Sequence, residues 1–353
     1  MERLGEIEQS PLAQSASELA HLWRLNRSAL VDDQRRERTV ASGMPAHMKI
    51  ELTNYCNLAC PMCPHPQMQR KVGSMRPALF RKIIDEAAPA LEFAYLHHLG
   101  ESLVVRRLGE FIRYGRSRGV AMGLSTNATF LDAARGRLLL ESGLDFLVIS
   151  LDAASPETYA RIRVGGDYAT TRDKVRDFFA LKRALPNHTT VVLQLIAMDG
   201  NQHEIASFIR EWSDPLFNGQ VMIKEVRDWA GQVRLRLPSG AAPTRLSRQP
   251  PCRMPWSELT VLWDGTVVPC ANHFEKINVL GDLRSQSVAE VWNSPAMQRL
   301  RAAHLSDAVA DVPVCATCSR HAFDAADFVA VDQLSQRRRS YASCDVIPRP
   351  GLS

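Results

Sequence analysis

The segment Asn54-Tyr55-Cys56-Asn57-Leu58-Ala59-Cys60-Pro61-Met62-Cys63 decides how this 353-residue chain is interpreted. It follows at once on the apolar run Met48–Leu52, whose length and composition favour a β-strand. A loop that carries Cys56, Cys60 and Cys63 can wrap three corners of a cubane iron–sulfur cluster, because thiolates suit soft iron–sulfur centres. The fourth iron then has no protein ligand, and an open iron is a place where a substrate or cofactor can bind.

Two other interpretations of this loop stay open on its residues alone. Zinc also takes thiolate and imidazole ligands, and His65 is available as a fourth ligand beside the three cysteines. The three thiols can also be unrelated side chains of a buried core. The segments that follow along the chain bear on this choice.

The overall composition is that of an ordinary globular protein. Hydrophobic residues make up 45% and charged residues 23% of the chain, and 43 Lys and Arg against 38 Asp and Glu leave a net charge of +5. This charge is too small and too dispersed to predict nucleic-acid binding. The chain does not open on an export signal and has no stretch of about 18 apolar residues, so we expect a cytoplasmic protein that does not enter a membrane. In that compartment the eight cysteines favour metal ligation or catalysis over structural disulfides.

From Met48 onward, short apolar runs alternate with longer segments of helical periodicity. Six such units predict a parallel sheet whose functional face lies at the carboxyl ends of the strands. Six units are two short of a closed barrel, so we expect an α/β fold built on a partial (β/α)6 TIM-like barrel, although a doubly wound sheet has the same alternation. The predicted strands are Met48–Leu52, Phe93–Leu99, Val120–Ser125, Phe146–Leu151, Thr190–Met198 and Gln220–Val226.

Changes in composition divide the chain into five parts. A stretch that contains Pro and Gly separates the barrel from a small, cysteine-rich α+β domain. The predicted parts are an N-terminal helical extension at 1–45, the barrel at 46–236, a linker at 237–251, the small domain at 252–330 and a tail at 331–353.

The small domain carries a hairpin signal and a second set of cysteines. Thr260–Trp263 and Thr266–Val268 predict two strands joined by Asp264-Gly265 in a two-residue type I′ turn. Four thiolates can ligate a second cubane cluster completely, but a structural zinc site has the same ligands, and chemistry alone does not separate the two. The four cysteines are Cys252, Cys270, Cys315 and Cys318.

The first cysteine motif resembles the signature of the radical S-adenosylmethionine (SAM) superfamily. That signature is Cys-x3-Cys-x-apolar-Cys in the loop after the first strand, and Cys56, Cys60, Met62 and Cys63 match it. The resemblance implies that the amino and carboxylate groups of SAM chelate the open iron and that Met62 lies beside the adenine. It also implies an external one-electron donor such as flavodoxin or ferredoxin.

Later segments resemble the parts of this family that hold SAM. Leu99-Gly100-Glu101 is similar to the Gly-Gly-Glu strand end that receives the methionine amino group, with Leu in place of the first Gly. Segments after the fourth and fifth family strands hold the ribose hydroxyls and the methionine carboxylate, and an Arg suits a carboxylate by its fork geometry. The SAM-binding residues that the resemblance implies are Gly100, Glu101, Ser125, Asn127, Ser150, Asp152 and Arg163, together with Met62.

The small domain resembles the SPASM/twitch auxiliary-cluster domain. The resemblance rests on Cys252-Arg253-Met254-Pro255-Trp256 and on Gly265-Thr266-Val267-Val268-Pro269-Cys270. Four cysteines rather than seven imply the shorter twitch form, which holds one auxiliary cluster. The implied cofactors are therefore two 4Fe–4S clusters and SAM.

The sequence says less about the substrate than about the cofactors. Lys224, Glu225 and Arg227 follow the sixth predicted strand and are candidate substrate-binding or catalytic residues, and Cys344 is either an exposed thiol of the tail or a donor of a hydrogen atom to a substrate radical. The chain resembles sugar- and aminocyclitol-modifying members such as the butirosin-pathway aminocyclitol dehydrogenase. We therefore expect a small polar substrate and dehydrogenation, with epimerisation, dehydration and decarboxylation open. A peptide maturase and a non-catalytic metal-binding scaffold are the alternatives.

Overall fold

The computed structural model describes residues 16–214, 216–217, 220–226, 229–233, 252–318 and 344–347. Its strands form one sheet in the order β10-β6-β5-β4-β3-β2-β1-β7-β8-β9. The strands are β1 His47–Ile50, β2 Phe93–Tyr95, β3 Ala121–Thr126, β4 Phe146–Ser150, β5 Thr190–Ala197, β6 Gln220–Glu225, β7 Glu258–Val261, β8 Thr266–Val268, β9 Gly281–Asp282 and β10 Cys344–Ile347.

Strands β1 to β6 pair in parallel and lie in the sheet in their order along the chain. A doubly wound sheet reverses its strand order at a switch point, whereas a barrel does not. The order therefore confirms the predicted partial barrel, and all six predicted strands are present. At the two edges, β7 of the small domain pairs in parallel with β1, and β10 pairs antiparallel with β6.

The helices cover the outer face of this sheet, and their sequences explain their bounds. Several helices begin at an Asp or Ser N-cap: Asp132, Asp167 and Ser287 each accept a backbone N–H at a helix start. The helices are α1 Ala16–Arg35, α2 Pro77–Ala87, α3 Leu108–Ser117, α4 Ala133–Glu141, α5 Pro156–Ile162, α6 Tyr168–Ala184, α7 Ile205–Trp212, α8 Met254–Ser257, α9 Val288–Trp292, α10 Pro295–Leu305 and α11 Pro313–Ala316.

Alternate residues of the strands face opposite sides. Leu147 and Ile149 of β4 belong to the main core between sheet and helices, while Phe146 and Val148 belong to a second apolar cluster on the inner face. Toward the carboxyl ends of the strands this inner face becomes polar, and Gln194 Nε2 donates to Ser150 Oγ at 3.0 Å. The inner face is thus apolar in its lower part and polar toward the carboxyl ends of the strands, and we call this polar part the polar upper layer.

The predicted two-residue turn of the small-domain hairpin is wrong. Leu262 N–H donates to the carbonyl of Thr266 and Gly265 N–H to the carbonyl of Leu262, both at 2.9 Å, so three residues rather than two lie in the turn. Only Gly265, with a φ of +94°, has the left-handed conformation, whereas a type I′ turn needs positive φ at both central residues. The glycine is needed where it was predicted, but as the residue that closes a three-residue turn.

Buried Arg301 of α10 fastens the small domain to the N-terminal extension. Its side chain donates to the carbonyls of Thr39, Pro255 and Trp292, and its guanidinium carbon lies 4.6 Å from the Trp292 ring centroid. The predicted helical extension is confirmed in α1. Of the predicted linker at 237–251, none falls within the described residues, and the predicted domain boundaries stay predictions.

Candidate functional site

The loop after β1 brings Cys56, Cys60 and Cys63 together in one apolar cluster with Leu58 and Met62. Burial raises the pKa of all three thiols, and raises that of Cys63 to about 12. A bare thiolate is therefore disfavoured here, whereas a bound metal centre supplies the positive charge that ionises its ligands. Three thiols gathered in one loop suit the ligation of an iron–sulfur cluster, which would hold them as thiolates.

His65, the fourth ligand that a zinc site would need here, has its Nε2 2.9 Å from the carbonyl oxygen of Asn54, which leaves Nδ1 as the ring nitrogen that could ligate. Within the described ranges, no three His, Cys, Asp or Glu side chains converge closely enough to hold a single ion. A cubane spreads its ligands over four irons and does not need such convergence. The donor set thus agrees with the predicted cluster.

The segment that follows β2 packs against this loop at Gly100. A Cβ at Gly100, whose φ is +82°, would lie 2.5 Å from the carbonyl oxygen of Thr53, so only glycine fits. The carboxylate of Glu101 is buried and accepts hydrogen bonds from Leu103 N–H at 2.9 Å and from Asn127 N–H at 2.7 Å. Burial raises the pKa of Glu101, and these hydrogen bonds oppose that rise. Glu101 therefore joins the ends of β2 and β3.

Asn127 follows β3 and reaches the cluster loop. Its Nδ2 lies 3.1 Å from Asn57 Oδ1 and 3.9 Å from Cys56 Sγ, while its Oδ1 accepts from the N–H of Thr129 at 3.0 Å. The next residue, Ala128, has a φ of +61°, a conformation that glycine adopts with less strain. Ser125 lies half-buried in β3 two residues before Asn127.

Asp152 and Arg163 form a buried ion pair beside Cys60. Arg163 Nη2 lies 2.5 Å from Asp152 Oδ2, and its Nη1 lies 3.7 Å from Cys60 Sγ. Burial alone would lower the pKa of Arg163, but the negative charges of Asp152 and Cys60 raise it above its usual range. Asp152 also accepts from Ile196 N–H at 2.7 Å, and Ser155 rather than Asp152 caps α5. The Nε of Arg163 is buried and has no hydrogen-bond partner in the described part of the chain.

The candidate substrate residues lie near the carboxyl end of β6. Lys224 is half-buried, and Cys344 of β10 pairs with it across the backbone ladder. Glu225 ends β6 in the backbone, but its side chain and the whole of Arg227 lie outside the described residues. The tertiary structure thus brings the residue 344 backbone to the sheet position of Lys224, which sequence alone does not indicate.

His97 is a site residue that the sequence analysis missed. It lies beyond β2 on the same face as Tyr95, with ring centroids 6.0 Å apart, and its Nδ1 is buried without a hydrogen-bond partner among the described residues. Burial first, and the nearby charge of His98 second, lower the pKa of His97 to about 4, so the ring is neutral at neutral pH. The alternation Phe93, Tyr95, His97 is the signal that could have identified it.

The four cysteines of the small domain also lie together. Burial raises the pKa of Cys252 well above its usual value, and Cys270, Cys315 and Cys318 raise it further by their charges. Burial likewise raises the pKa of Cys270 and Cys315 to about 12. Beside Cys270, burial lowers the pKa of His273 to about 3.

A buried ion cluster joins the two cysteine sites. Arg70, seven residues after Cys63, donates from Nη1 and Nη2 to both carboxylate oxygens of Glu51 at 2.8 and 2.7 Å, and its Nε donates to the carbonyl of Phe274. His98 Nδ1 lies 3.2 Å from Glu51 Oε1, and its Nε2 lies 2.9 Å from the carbonyl oxygen beyond Cys270. This cluster holds the small domain against the barrel at the end of β1.

A second contact between the two sites comes from Trp229. Its Nε1 donates to the carbonyl of Met62 at 3.1 Å, and its ring meets that of Phe274 edge-on at 6.3 Å. The loop that follows β6 thus touches both cysteine loops.

Comparison with known families matches two parts of the chain, each of which contains one set of cysteines. The radical SAM superfamily profile matches residues 50–209, and that of SPASM, an iron–sulfur cluster-binding domain, matches residues 252–319. The chain thus carries a radical SAM domain and a SPASM domain. This radical SAM enzyme accordingly uses SAM with a 4Fe–4S cluster, and its SPASM domain binds an auxiliary iron–sulfur cluster.

Three curated relatives cover most of the radical SAM enzyme. A tungsten-containing aldehyde ferredoxin oxidoreductase cofactor-modifying protein from Pyrococcus furiosus is 25% identical over 80% of this chain and 89% of its own. A PqqA peptide cyclase from Streptomyces rochei is 26% identical over 71% and 76%. An S-adenosyl-L-methionine-dependent 2-deoxy-scyllo-inosamine dehydrogenase from Niallia circulans is 22% identical over 72% and 84%.

Solved structures share its fold. SuiB from Streptococcus suis, bound to its precursor peptide SuiA, superposes with a TM-score of 0.63 and 12% identity over 79% of this chain and 71% of its own. BtrN in complex with AdoMet and 2-DOIA gives 0.54 and 17% over 77% and 92%. None of the described helices is long and apolar enough to cross a membrane.

Proposed function

We propose that this radical SAM enzyme removes a hydrogen atom from a small polar substrate, a sugar, aminocyclitol or nucleoside-like molecule, and dehydrogenates it. The observation that carries the proposal is the polar upper layer of the inner face, where His97, Ser150, Gln194 and Lys224 lie at or near the carboxyl ends of the barrel strands. A small ligand with several hydroxyl or amino groups can pair with His97 Nδ1, which has no hydrogen-bond partner among the described residues, and an apolar ligand cannot.

SAM, when bound with the reduced cluster, supplies the 5′-deoxyadenosyl radical that abstracts the hydrogen atom. Cys56, Cys60 and Cys63 would hold the cluster, and Met62, which lies in the same apolar cluster of side chains, would contact the adenine. The unpartnered Nε of Arg163 suits the methionine carboxylate, because it is a donor that lacks an acceptor among the described residues.

The other proposed SAM-binding residues contribute different groups. Gly100 can offer its carbonyl oxygen, and Ser125, Asn127 and Ser150 can reach the ribose. Glu101 receives the amino group in this proposal in addition to holding β3. Asp152 acts through Arg163, because its carboxylate already accepts from Ile196 N–H and pairs with Arg163.

Substrate contacts are assigned to the inner face. His97 is neutral, and its Nδ1, which lacks a hydrogen-bond partner among the described residues, can pair with a substrate hydroxyl or amino group. Lys224 supplies charge at the end of β6, and Glu225 and Arg227, which follow it in the sequence, are the further candidates. The sequence relative named a 2-deoxy-scyllo-inosamine dehydrogenase supports a substrate of this size and polarity.

Peptide maturation is the second candidate function. It is supported by the relative named PqqA peptide cyclase, which is 26% identical over 71% of this chain. In that case a peptide segment would lie across the open side of the partial barrel. The two candidates differ in substrate size and are separated by the same assay.

The first experiment quantifies iron and acid-labile sulfide after anaerobic reconstitution. We expect about eight irons per chain in the wild type and about four in the Cys56→Ala/Cys60→Ala/Cys63→Ala variant. Four irons with one zinc in the wild type would remove the auxiliary cluster as an electron acceptor, and with it the main support for dehydrogenation.

The second experiment measures 5′-deoxyadenosine formation with reduced flavodoxin or ferredoxin as electron donor. Aminocyclitols, sugars and nucleosides are compared with short precursor-like peptides, and the triple cysteine variant is the control. We expect 5′-deoxyadenosine formation that depends on a small substrate and yields a carbonyl product. Formation that depends only on peptides would replace this proposal by the second candidate.

If the reaction is redox-neutral, Cys344 would donate a hydrogen atom to the substrate radical. In that case the product takes up one deuterium from deuterated solvent, and Cys344→Ala abolishes this uptake while 5′-deoxyadenosine still forms. A dehydrogenase gives a product without solvent deuterium at the abstracted position, and Cys344→Ser then retains activity.

A further inference from the structure

Two consecutive residues after Cys270 direct nitrogen atoms at the sulfurs of the auxiliary site. Asn272 Nδ2 lies 3.5 Å from Cys318 Sγ, and His273 Nδ1 lies 3.4 Å from Cys270 Sγ. Both distances suit hydrogen bonds to sulfur, which is a larger acceptor than oxygen. One loop therefore reaches two of the four thiols with side-chain nitrogens.

The ligand chemistry of Cys270 decides the direction of this hydrogen bond. A thiolate that ligates a cluster has no hydrogen and only accepts, so a hydrogen bond to it needs a ring hydrogen on Nδ1 of His273. Nε2 of His273 lies 3.5 Å from Nδ2 of Asn278. The ring is 1% exposed, so water does not compete for this hydrogen.

We propose that Asn272 and His273 donate hydrogen bonds to the thiolates that ligate the auxiliary cluster and thereby raise its reduction potential. Hydrogen bonds draw electron density from the ligand sulfurs, so they stabilise the reduced cluster, which carries one more negative charge. Neither residue is a ligand. They are positioning residues that act on the cluster through Cys270 and Cys318.

This inference connects to dehydrogenation, and in that use it rests on the proposed function. An alcohol-derived radical becomes a ketone when it loses one electron and its hydroxyl proton. The oxidised auxiliary cluster would gain the electron and solvent the proton. A higher potential makes that transfer more favourable, whereas a zinc ion could not accept the electron at all.

The test measures the potential of the auxiliary cluster by redox titration followed by electron paramagnetic resonance, without substrate. The parent is the Cys56→Ala/Cys60→Ala/Cys63→Ala variant, so the SAM-binding cluster does not contribute. His273→Leu and Asn272→Leu each remove one donor. We expect both potentials to fall below that of the parent, and the double variant to fall further than either.

A matched pair separates the hydrogen bond from packing. The amide nitrogen of Asn lies three bonds from Cα, like Nδ1 of His, whereas that of Gln lies four bonds away, like Nε2. We expect His273→Asn to keep a potential close to that of the parent and His273→Gln to fall toward His273→Leu. If His273→Leu does not hold a cluster, the Asn and Gln variants carry the comparison.

Equal potentials in the parent, His273→Leu and Asn272→Leu, at equal iron content, would overturn the proposal. A parent that reconstitutes with zinc rather than iron at this site would overturn it as well. Because no substrate is present, a failure of the proposed dehydrogenation would leave the measured potentials unchanged, so the two ideas fail separately.

Discussion

Replacing Glu51 by Gln should destabilise this protein far more than the same replacement at the surface. Glu51 is fully buried, and its carboxylate receives both Nη groups of Arg70 at 2.8 and 2.7 Å. Gln keeps the shape but removes the charge, so Arg70 stays buried as a cation without its carboxylate. The amide of Gln also turns an N–H group toward donors such as the N–H of Trp263, 3.2 Å from Glu51 Oε2.

The size of the effect follows from the electrostatics of Glu51. Burial alone would raise its pKa, but hydrogen bonds from Arg70 and His98 overcome burial and lower the pKa from 4.5 to about 2. At 1.36 kcal/mol per pH unit this difference corresponds to about 3 kcal/mol, which agrees with the roughly 3–5 kcal/mol lost when one partner of a buried ion pair is removed. We therefore expect Glu51→Gln to lower the free energy of unfolding by about 3 kcal/mol.

The matched control is Glu110→Gln. Glu110 accepts two hydrogen bonds from Arg107 Nε and Nη2 at 2.9 and 2.5 Å, but both side chains are about half exposed. Exposed pairs of this kind are screened by water, so we expect no measurable change in stability. The two variants thus differ in burial while the substitution and the type of pair are the same.

The assay is anaerobic urea unfolding of the cluster-free protein, followed by circular dichroism from pH 7 to pH 2, because acid releases the sulfide of iron–sulfur clusters. The folded pKa of Glu51 lies below its unfolded value, so its stabilisation is fully present above pH 4.5 and is lost as the pH falls toward about 2. The wild type should therefore lose its advantage over Glu51→Gln across that window. Equal unfolding midpoints for Glu51→Gln and Glu110→Gln at pH 7 would refute the reasoning.

Three further predictions test other parts of the structure. Gly100→Ala places a Cβ 2.5 Å from a backbone carbonyl oxygen at a φ of +82°, so it should lower the unfolding midpoint and reduce SAM binding. Gly200→Ala is the control and should do neither, because its Cβ has its nearest neighbour at 4.0 Å. Equal behaviour of the two variants would contradict the close approach at Gly100. Burial lowers the pKa of His47 and His97 to about 4, below their unfolded value of 6.5. The stability that these two rings contribute should therefore be complete above about pH 6.5 and decline toward pH 4. Thermal unfolding scans of a His47→Gln/His97→Gln variant should show a smaller decline over this pH range. Arg163→Lys keeps the charge but not the forked geometry, so SAM affinity measured by equilibrium dialysis should fall roughly tenfold or more. The circular dichroism spectrum should stay unchanged, which shows that the variant is folded. An unchanged affinity would argue against a role of Arg163 in binding SAM.

The positions of the elements were predictable from local patterns. Apolar runs of strand length predicted all six barrel strands because strand and helix periodicity is recorded in neighbouring residues. The cysteine spacing at Cys56, Cys60 and Cys63 is equally local, since one loop supplies all three ligands. The small-domain hairpin was found for the same reason, but the turn type was not, because it depends on the strand register that pairs Thr260 with Val268.

The sequence by itself thus determined the α/β class, the order of the elements and the two sets of cysteines. Only the tertiary structure decided which distant groups meet: Glu51 with Arg70 and His98, and Asp152 with Arg163. The physical reason is that a buried charge is stable only beside its partner, and which partner is within reach depends on how strands far apart in sequence lie in the sheet. Periodicity records which face of an element is apolar, but it contains no information on what that face or its polar end will touch.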